Sequence, residues 1–171
     1  SYTSWDFGIG DPTAVGIYQI VPSYTPLSPP EVRLIYTFEE TDKPIGYFID
    51  KIRELGITNW RAHFGDPSGK NRNFVTGRSV FEEMAELGFA VQAQRVNVID
   101  KIEATKRLIK HSLVVEESCY RFIEALTHYH YMWNEKTGQF MREPYHDWSS
   151  HFCDQLGYFS VNYQSPAPPK T

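Results

Sequence analysis

The chain has 171 residues, of which 41% are hydrophobic, 22% charged and 15% aromatic. This length is enough for one domain with a substantial core. No apolar run reaches the ~20 residues of a membrane-spanning helix, and no signal-peptide pattern is visible, so we expect no membrane segment. The net charge of −4 argues against a uniformly basic nucleic-acid-binding surface, although basic side chains can still gather locally.

The two cysteines indicate the redox compartment, and the first residue indicates whether the chain is part of a longer protein. Cys119 and Cys153 have neither metal-ligand spacing nor the density of a disulfide framework. Both fall in predicted helices, so we expect buried free thiols in a reducing compartment. The chain begins with Ser1 rather than Met, which indicates a processed chain or, as we expect, a domain of a longer protein.

The first forty residues alternate between strand-forming and turn-forming stretches. Runs of β-branched and aromatic residues predict strands over 2–7, 13–21 and 31–39. Glycine and proline predict the turn and the loop that separate them. In the third strand one face is expected to carry Val32, Leu34, Tyr36 and Phe38. Three consecutive strands with short links predict an antiparallel meander.

After the meander, helical and extended patterns alternate. Amphipathic spacing predicts helices over 44–56, 79–88, 98–111 and 117–129. Short apolar runs predict strands over 57–64, 89–93 and 113–115, and a β-hairpin is predicted over 131–141. This order predicts a single α/β domain: a mixed sheet, made of the three-strand meander plus parallel strands, flanked by helices, with an extra β-hairpin. We assign residues 1–164 to this domain and expect the Pro-rich tail, 165–171, to be disordered.

A last helix is predicted from residue 148 onward, with Asp147 as its N-cap. Its apolar stripe is Trp148, Phe152, Leu156 and Phe159. His151 and Asp154 lie three residues apart and therefore share a second face. A pair of this kind is more often a surface hydrogen bond than a set of metal ligands, so a metal site needs further carboxylates from elsewhere in the chain.

Two aspartates supply those carboxylates. Asp6 ends the first predicted strand and Asp66 ends the fourth, each at a Gly-containing turn, although each residue could equally serve only its turn. If the two strands are neighbours, both carboxylates project from one edge of the sheet, and Asp154 can complete the group. Clustered carboxylates repel each other unless cations neutralise them, and oxygen ligands favour Mg²⁺ or Mn²⁺. An added imidazole from His151 favours Mn²⁺.

Basic side chains near these acids are candidates for holding phosphates. The DNA-binding candidates are Lys70, Arg72, Arg78, Lys106 and Lys136. Further basic residues, including Lys101, are expected on the solvent face of the third predicted helix. Asp11 precedes a proline and is expected to serve its turn or to support a ligand. The remaining histidines show no ligand spacing and are expected to be surface or hydrogen-bonded residues: His63, His111, His128, His130 and His146.

Three segments stand in an order typical of a known family. They are Trp5-Asp6-Phe7-Gly8 with Asp11-Pro12-Thr13-Ala14, then Gly65-Asp66-Pro67-Ser68-Gly69-Lys70, then His146-Asp147-Trp148-Ser149-Ser150-His151-Phe152-Cys153-Asp154. Together they resemble the C-terminal nuclease domain of the large terminase subunit of tailed bacteriophages, over nearly the whole chain. The resemblance implies an RNase H-like fold with Asp6, Asp66 and Asp154 as catalytic metal ligands and His151 beside them. The family often has Asp-Ala-Leu-Arg-Tyr at the last motif, where this chain has Asp154-Gln155-Leu156-Gly157-Tyr158, so a basic contact after the third ligand is in doubt.

The resemblance also implies a function. Members of the family use two Mg²⁺ or Mn²⁺ ions to cut double-stranded concatemeric viral DNA when packaging starts and when the head is filled. The implied partners are double-stranded DNA, an N-terminal ATPase domain, the portal and the small terminase subunit, with no membrane. The implied location is the host cytoplasm, at the procapsid portal. Two alternatives remain: another RNase H-like nuclease, of the junction-resolvase or transposase type, and a module that binds DNA or the portal without cutting.

Overall fold

A computed structural model describes residues 1–8, 10–25 and 28–163. The strands are β1 (Tyr2–Asp6), β2 (Thr13–Val21), β3 (Glu31–Glu40), β4 (Ala62–Gly65), β5 (Val91–Gln92), β6 (Leu113–Val115), β7 (Tyr131–Asn134) and β8 (Gln139–Pro144). The helices are α1 (Ile45–Glu54), α2 (Val80–Glu86), α3 (Val98–His111), α4 (Tyr120–His128) and α5 (Ser150–Asn162). The Pro-rich tail predicted to be disordered lies outside the described residues.

Six strands form one mixed sheet in the order β5-β4-β1-β2-β3-β6. The pairs β1–β2 and β2–β3 are antiparallel, which confirms the predicted meander. The outer strands add in parallel: β4 on β1, β5 on β4, and β6 on β3. The strands β7 and β8 form the separate antiparallel hairpin that the sequence predicts. The α/β class and the mixed sheet with its extra hairpin are therefore confirmed.

Helices cover both faces of the sheet, and each face has its own core. One core packs Trp5, Val15 and Ile17 against α1 and α2. The other packs Tyr18 and Phe64 against α4 and α5. Residues of β2 alternate between the two cores, so this strand is apolar on both faces, as expected for a sheet covered by helices on each side.

A β-bulge corrects one prediction for β3. The register between β2 and β3 shifts at Ile17/Tyr18, so that Ile17 pairs with Tyr36 while Tyr18 pairs with Leu34. One extra residue in β3 reverses the alternation of side chains beyond it. Leu34 therefore lies in the core of α4 and α5, and Phe38 lies in the opposite core. The prediction that four apolar residues share one face of this strand is wrong.

Two predicted strands were too long, and the last helix begins at a different residue from the one predicted. The fourth strand covers only four residues, and the fifth covers two. The helix α5 begins after Ser149, so Trp148 precedes it and is 41% exposed, with its ring stacked on that of His128. Asp147 is not the N-cap residue, although its carboxylate accepts hydrogen bonds from both the backbone N–H and the hydroxyl of Ser149. Cys119 and Cys153 are free and buried, as expected.

Within the described residues, none of the helices is long and apolar enough to cross a membrane.

Candidate metal centre

The parallel pairing of β1 with β4 brings two of the predicted acids to one edge of the sheet. Trp5 pairs with Gly65, and the backbone N–H of Asp66 donates to the carbonyl of Trp5 at 3.0 Å. Asp6 ends β1 and is 8% exposed. The Asp66 carboxylate accepts hydrogen bonds from the backbone N–H and the hydroxyl of Ser68, so this residue also serves its turn.

The helix α5 is anchored to the sheet beside this edge. The hydroxyl of Ser4 donates to the carbonyl of Gln155 at 2.6 Å, and the hydroxyl of Tyr18 donates to Gln155 Oε1 at 2.8 Å. The amide of Gln155 fits because Gly16 has no side chain: a Cβ there would lie 2.2 Å from Gln155 Oε1. These buried contacts fix the position of α5, and with it the placement of His151 and Asp154.

The environment of Asp6 disfavours its charged form. Burial is the largest effect and raises its pKa from 3.8 to about 6, a change to which the negative charges of Asp154 and Asp66 contribute. A hydrogen bond with His151 Nδ1, at 3.1 Å from Asp6 Oδ2, acts in the opposite direction. The same hydrogen bond raises the pKa of His151. A bound cation would stabilise a buried carboxylate on which two further negative charges act.

Tyr158, also on α5, lies among the same acids. Burial is the largest cause of its raised pKa, and the negative charges of Asp66, Asp6 and Asp154 add to it. A hydrogen bond with Asp66 contributes as well. The negative charges of all three predicted catalytic carboxylates therefore act on this one side chain.

Asp154 has a partner that the sequence analysis did not assign. The Nζ atom of Lys101, from α3, lies 2.6 Å from Asp154 Oδ1, and the side chains are only 14% and 22% exposed. The same Nζ lies 4.5 Å from the centre of the Tyr158 ring. The prediction that Lys101 faces solvent is therefore wrong, because α3 packs across α5 at this point.

A second group of possible ligands adjoins Asp6. Asp11, His146 and His151 each offer a ligand atom, and these atoms lie within 4.8 Å of one another, the one such group of three in the described residues. The three predicted acids are spread more widely than this. Because His151 Nδ1 is used by Asp6 and His146 Nδ1 lies 3.0 Å from the hydroxyl of Ser150, each imidazole keeps Nε2 for a ligand role.

Three of the five predicted DNA-binding residues already have acidic partners. Arg72 contacts Glu82, Arg78 contacts Glu86 and Lys106 contacts Glu103. Lys70 ends the 3₁₀ turn after Asp66, with Nζ 6.0 Å from the centre of the Phe81 ring. Lys136 lies in the loop between β7 and β8. The roles of these five residues and of the predicted metal ligands stay predictions.

Sequence reasoning missed His146 and Lys101 as residues of this centre. The histidine adjoins the last motif, but its spacing to His151 does not mark a ligand pair, and its partner Asp11 is 135 positions earlier. His146 is exposed and hydrogen-bonded to Ser150, as predicted, and the structure adds that it lies beside His151 and Asp11. By contrast, His63 is the buried, hydrogen-bonded residue that was expected, with Nδ1 2.9 Å from the hydroxyl of Thr3.

Comparison by sequence and by structure gives different results. No protein-family model matches the chain, and no curated protein sequence matches it. Among solved structures, the large terminase of the thermophilic bacteriophage D6E in complex with ADP is similar over 94% of this chain, with a TM-score of 0.70 and 18% identity. This chain covers 39% of the D6E protein.

Two isolated nuclease domains are also similar. The large terminase nuclease domain of bacteriophage SPP1, with bound Mn, has a TM-score of 0.66 and 12% identity, and 94% of this chain covers 85% of it. The nuclease domain of the P22 large terminase has a TM-score of 0.64 and 14% identity, and 92% of this chain covers 78% of it. The chain thus has the RNase H-like fold found in the nuclease domains of phage large terminases.

Proposed function

We propose that this chain is the nuclease domain of a viral large terminase subunit and cuts double-stranded concatemeric DNA during genome packaging. The observation that carries the proposal is Asp6, a buried carboxylate at the end of a central strand, with the charges of Asp66 and Asp154 acting on it. A buried carboxylate with two further negative charges acting on it is unfavourable for the fold, whereas phosphodiester hydrolysis by bound metal ions requires carboxylate ligands.

The residues fit divalent metal ions of the Mg²⁺ or Mn²⁺ type. Asp6, Asp66 and Asp154 offer the oxygen ligands that both ions accept, and His151 with His146 adds nitrogen ligands that favour Mn²⁺. Bound ions would activate a water molecule and stabilise the leaving oxygen in phosphodiester cleavage. The bound Mn of the similar SPP1 domain agrees with this donor set.

Contacts within the protein orient the proposed metal ligands. The Asp6 carboxylate accepts the hydrogen bond from His151 Nδ1 and so fixes the tautomer of that imidazole. The anchoring of α5 by Gln155 holds Asp154 beside the strand ends. The five basic candidates named above would contact backbone phosphates, because the acids alone would repel DNA.

The remaining features of the resemblance are part of the same proposal. The full protein would carry an ATPase domain ahead of this one and would work with the portal and the small terminase subunit in the host cytoplasm, at the procapsid. The ADP-bound D6E protein, of which this chain covers 39%, is consistent with an ATPase portion outside this domain.

The test is cleavage of plasmid and linear duplex DNA by the 171-residue chain in Mn²⁺ or Mg²⁺. Asp6→Asn, Asp66→Asn and Asp154→Asn should each abolish cutting while leaving circular dichroism unchanged. Asp50→Asn is the matched control, since its carboxylate is exposed on α1, far along the chain from the acids, and should cut normally. Because the three acids share one site, combined variants should lose no more than single ones.

The outcome separates the alternatives. Linear duplex cut without sequence preference supports the terminase assignment, whereas a preference for branched DNA indicates a junction resolvase. A domain that binds DNA with a steep salt dependence but never cuts, with either metal, is a binding module, and the nuclease proposal then fails.

A further inference from the structure

Lys101 reaches the acids along a defined path. Its side chain leaves α3, crosses α5 above Gly157 and ends with Nζ 2.6 Å from Asp154 Oδ1. The ammonium also lies over the face of the Tyr158 ring, 4.5 Å from its centre. The Lys101 side chain is only 14% exposed, so its ion pair with Asp154 is largely shielded from solvent, unlike the exposed ion pairs elsewhere on the surface.

Gly157 makes this path possible. A Cβ at this position would lie 2.8 Å from Lys101 Cδ and 2.9 Å from Lys101 Cγ. Any larger residue would therefore push the lysine stem off α5. The absence of a side chain at Gly157 thus leaves room for Lys101 to cross α5 and reach Asp154.

We propose that Lys101 is a tethered cation that competes with a divalent metal ion for Asp154. The inference rests on the proposed function, because it assigns a role within that metal site. A metal ion that uses Asp154 must share the carboxylate with the ammonium or displace it, and two cations on one carboxylate repel each other. Lys101 therefore lowers the affinity of this part of the site for metal.

Two other partners are available to the Lys101 ammonium when a metal ion displaces it from Asp154. The Tyr158 ring provides a cation–π contact that does not depend on Asp154. A DNA phosphate at the acids would provide an anionic partner as well. Metal loading at Asp154 is thus favoured when DNA is present, which restrains the nuclease when its substrate is absent.

The test is Mn²⁺ affinity, measured by calorimetry and by the electron paramagnetic resonance of free Mn²⁺, without DNA and at constant pH. Lys101→Met keeps the length and apolar packing of the stem but removes the charge, so it should fold. We expect the Mn²⁺ dissociation constant of the Asp154 site to fall about tenfold or more. Lys110→Met, an exposed position on the same helix, is the control and should bind Mn²⁺ as the unmodified chain does.

A double-mutant cycle assigns the effect to Asp154. In the Asp154→Asn background, Lys101→Met should no longer change Mn²⁺ affinity, because the shared carboxylate is gone. Gly157→Ala keeps the charge but displaces the stem, and it should tighten Mn²⁺ binding in the same direction as Lys101→Met.

The results distinguish this inference from the proposed function. Unchanged or weaker Mn²⁺ binding by Lys101→Met overturns the competition and makes Lys101 at most a support for Asp154. If the unmodified chain binds Mn²⁺ and cuts DNA, that result leaves the nuclease assignment standing. If neither protein binds Mn²⁺, the proposed function fails and the inference fails with it.

Discussion

Replacing Asp6 by asparagine should stabilise the fold in the absence of metal while destroying the metal centre. Burial raises the pKa of Asp6 from 3.8 to about 6, which corresponds to about 3 kcal/mol against the ionised form at neutral pH. Asparagine carries no charge, and its Oδ1 can still accept the hydrogen bond from His151. We therefore expect Asp6→Asn to raise the free energy of unfolding at pH 8 by about 1 to 3 kcal/mol.

The effect of Asp6→Asn on the free energy of unfolding should depend on pH. Between pH 3.8 and about 6 the folded state binds more protons at Asp6 than the unfolded state, so stability falls as pH rises through this window. His151, whose pKa is also raised, acts in the same direction as its proton is lost. The advantage of Asp6→Asn should therefore be largest at pH 8 and nearly absent at pH 4.

Urea unfolding in EDTA, at pH 4 and pH 8, measures this difference. Asp50→Asn serves as the control, because its side chain is 72% exposed and should change stability little at either pH. With Mn²⁺ added, the unmodified chain should gain stability and Asp6→Asn should not. A variant less stable than the unmodified chain at pH 8, or an advantage equal at both pH values, would refute the reasoning.

Three further outcomes follow from the structure. Gly16→Ala should lower stability by about 2 to 4 kcal/mol in urea, because its Cβ displaces Gln155 from Tyr18; stability like that of the unmodified chain would contradict this packing. Ser79→Ala should cost about 1 kcal/mol by removing the capping box with Glu82, and no loss would mean that α2 does not depend on its cap. Mn²⁺ at 100 times its dissociation constant should stabilise the fold by about 2.7 kcal/mol in thermal unfolding, and EDTA should reverse this without changing the circular dichroism.

Local sequence signals predicted the elements whose causes are local. The helix predicted over 79–88 begins where the structure has Ser79 as the N-cap of α2, and the β-branched run over 13–21 predicted β2 to the residue. The sequence signals failed to predict the position of a side chain where one extra residue or a neighbouring element determines it. The bulge in β3 reversed the faces beyond it, and Trp148 lies outside α5 although its spacing fits the apolar stripe.

The same distinction holds for the site. The sequence by itself determined which carboxylates end strands, Asp6 and Asp66, and that Asp154 follows His151 by three residues, because these are facts of chain order and local turn chemistry. Only the tertiary structure decided that β1 pairs with β4 and that Lys101 crosses Gly157 to Asp154. The contact of Lys101 with Asp154 depends on the packing of α3 across α5 and on the space left by the absent side chain of Gly157. No periodicity along the chain encodes that choice, since it is made by the packing of elements distant in sequence.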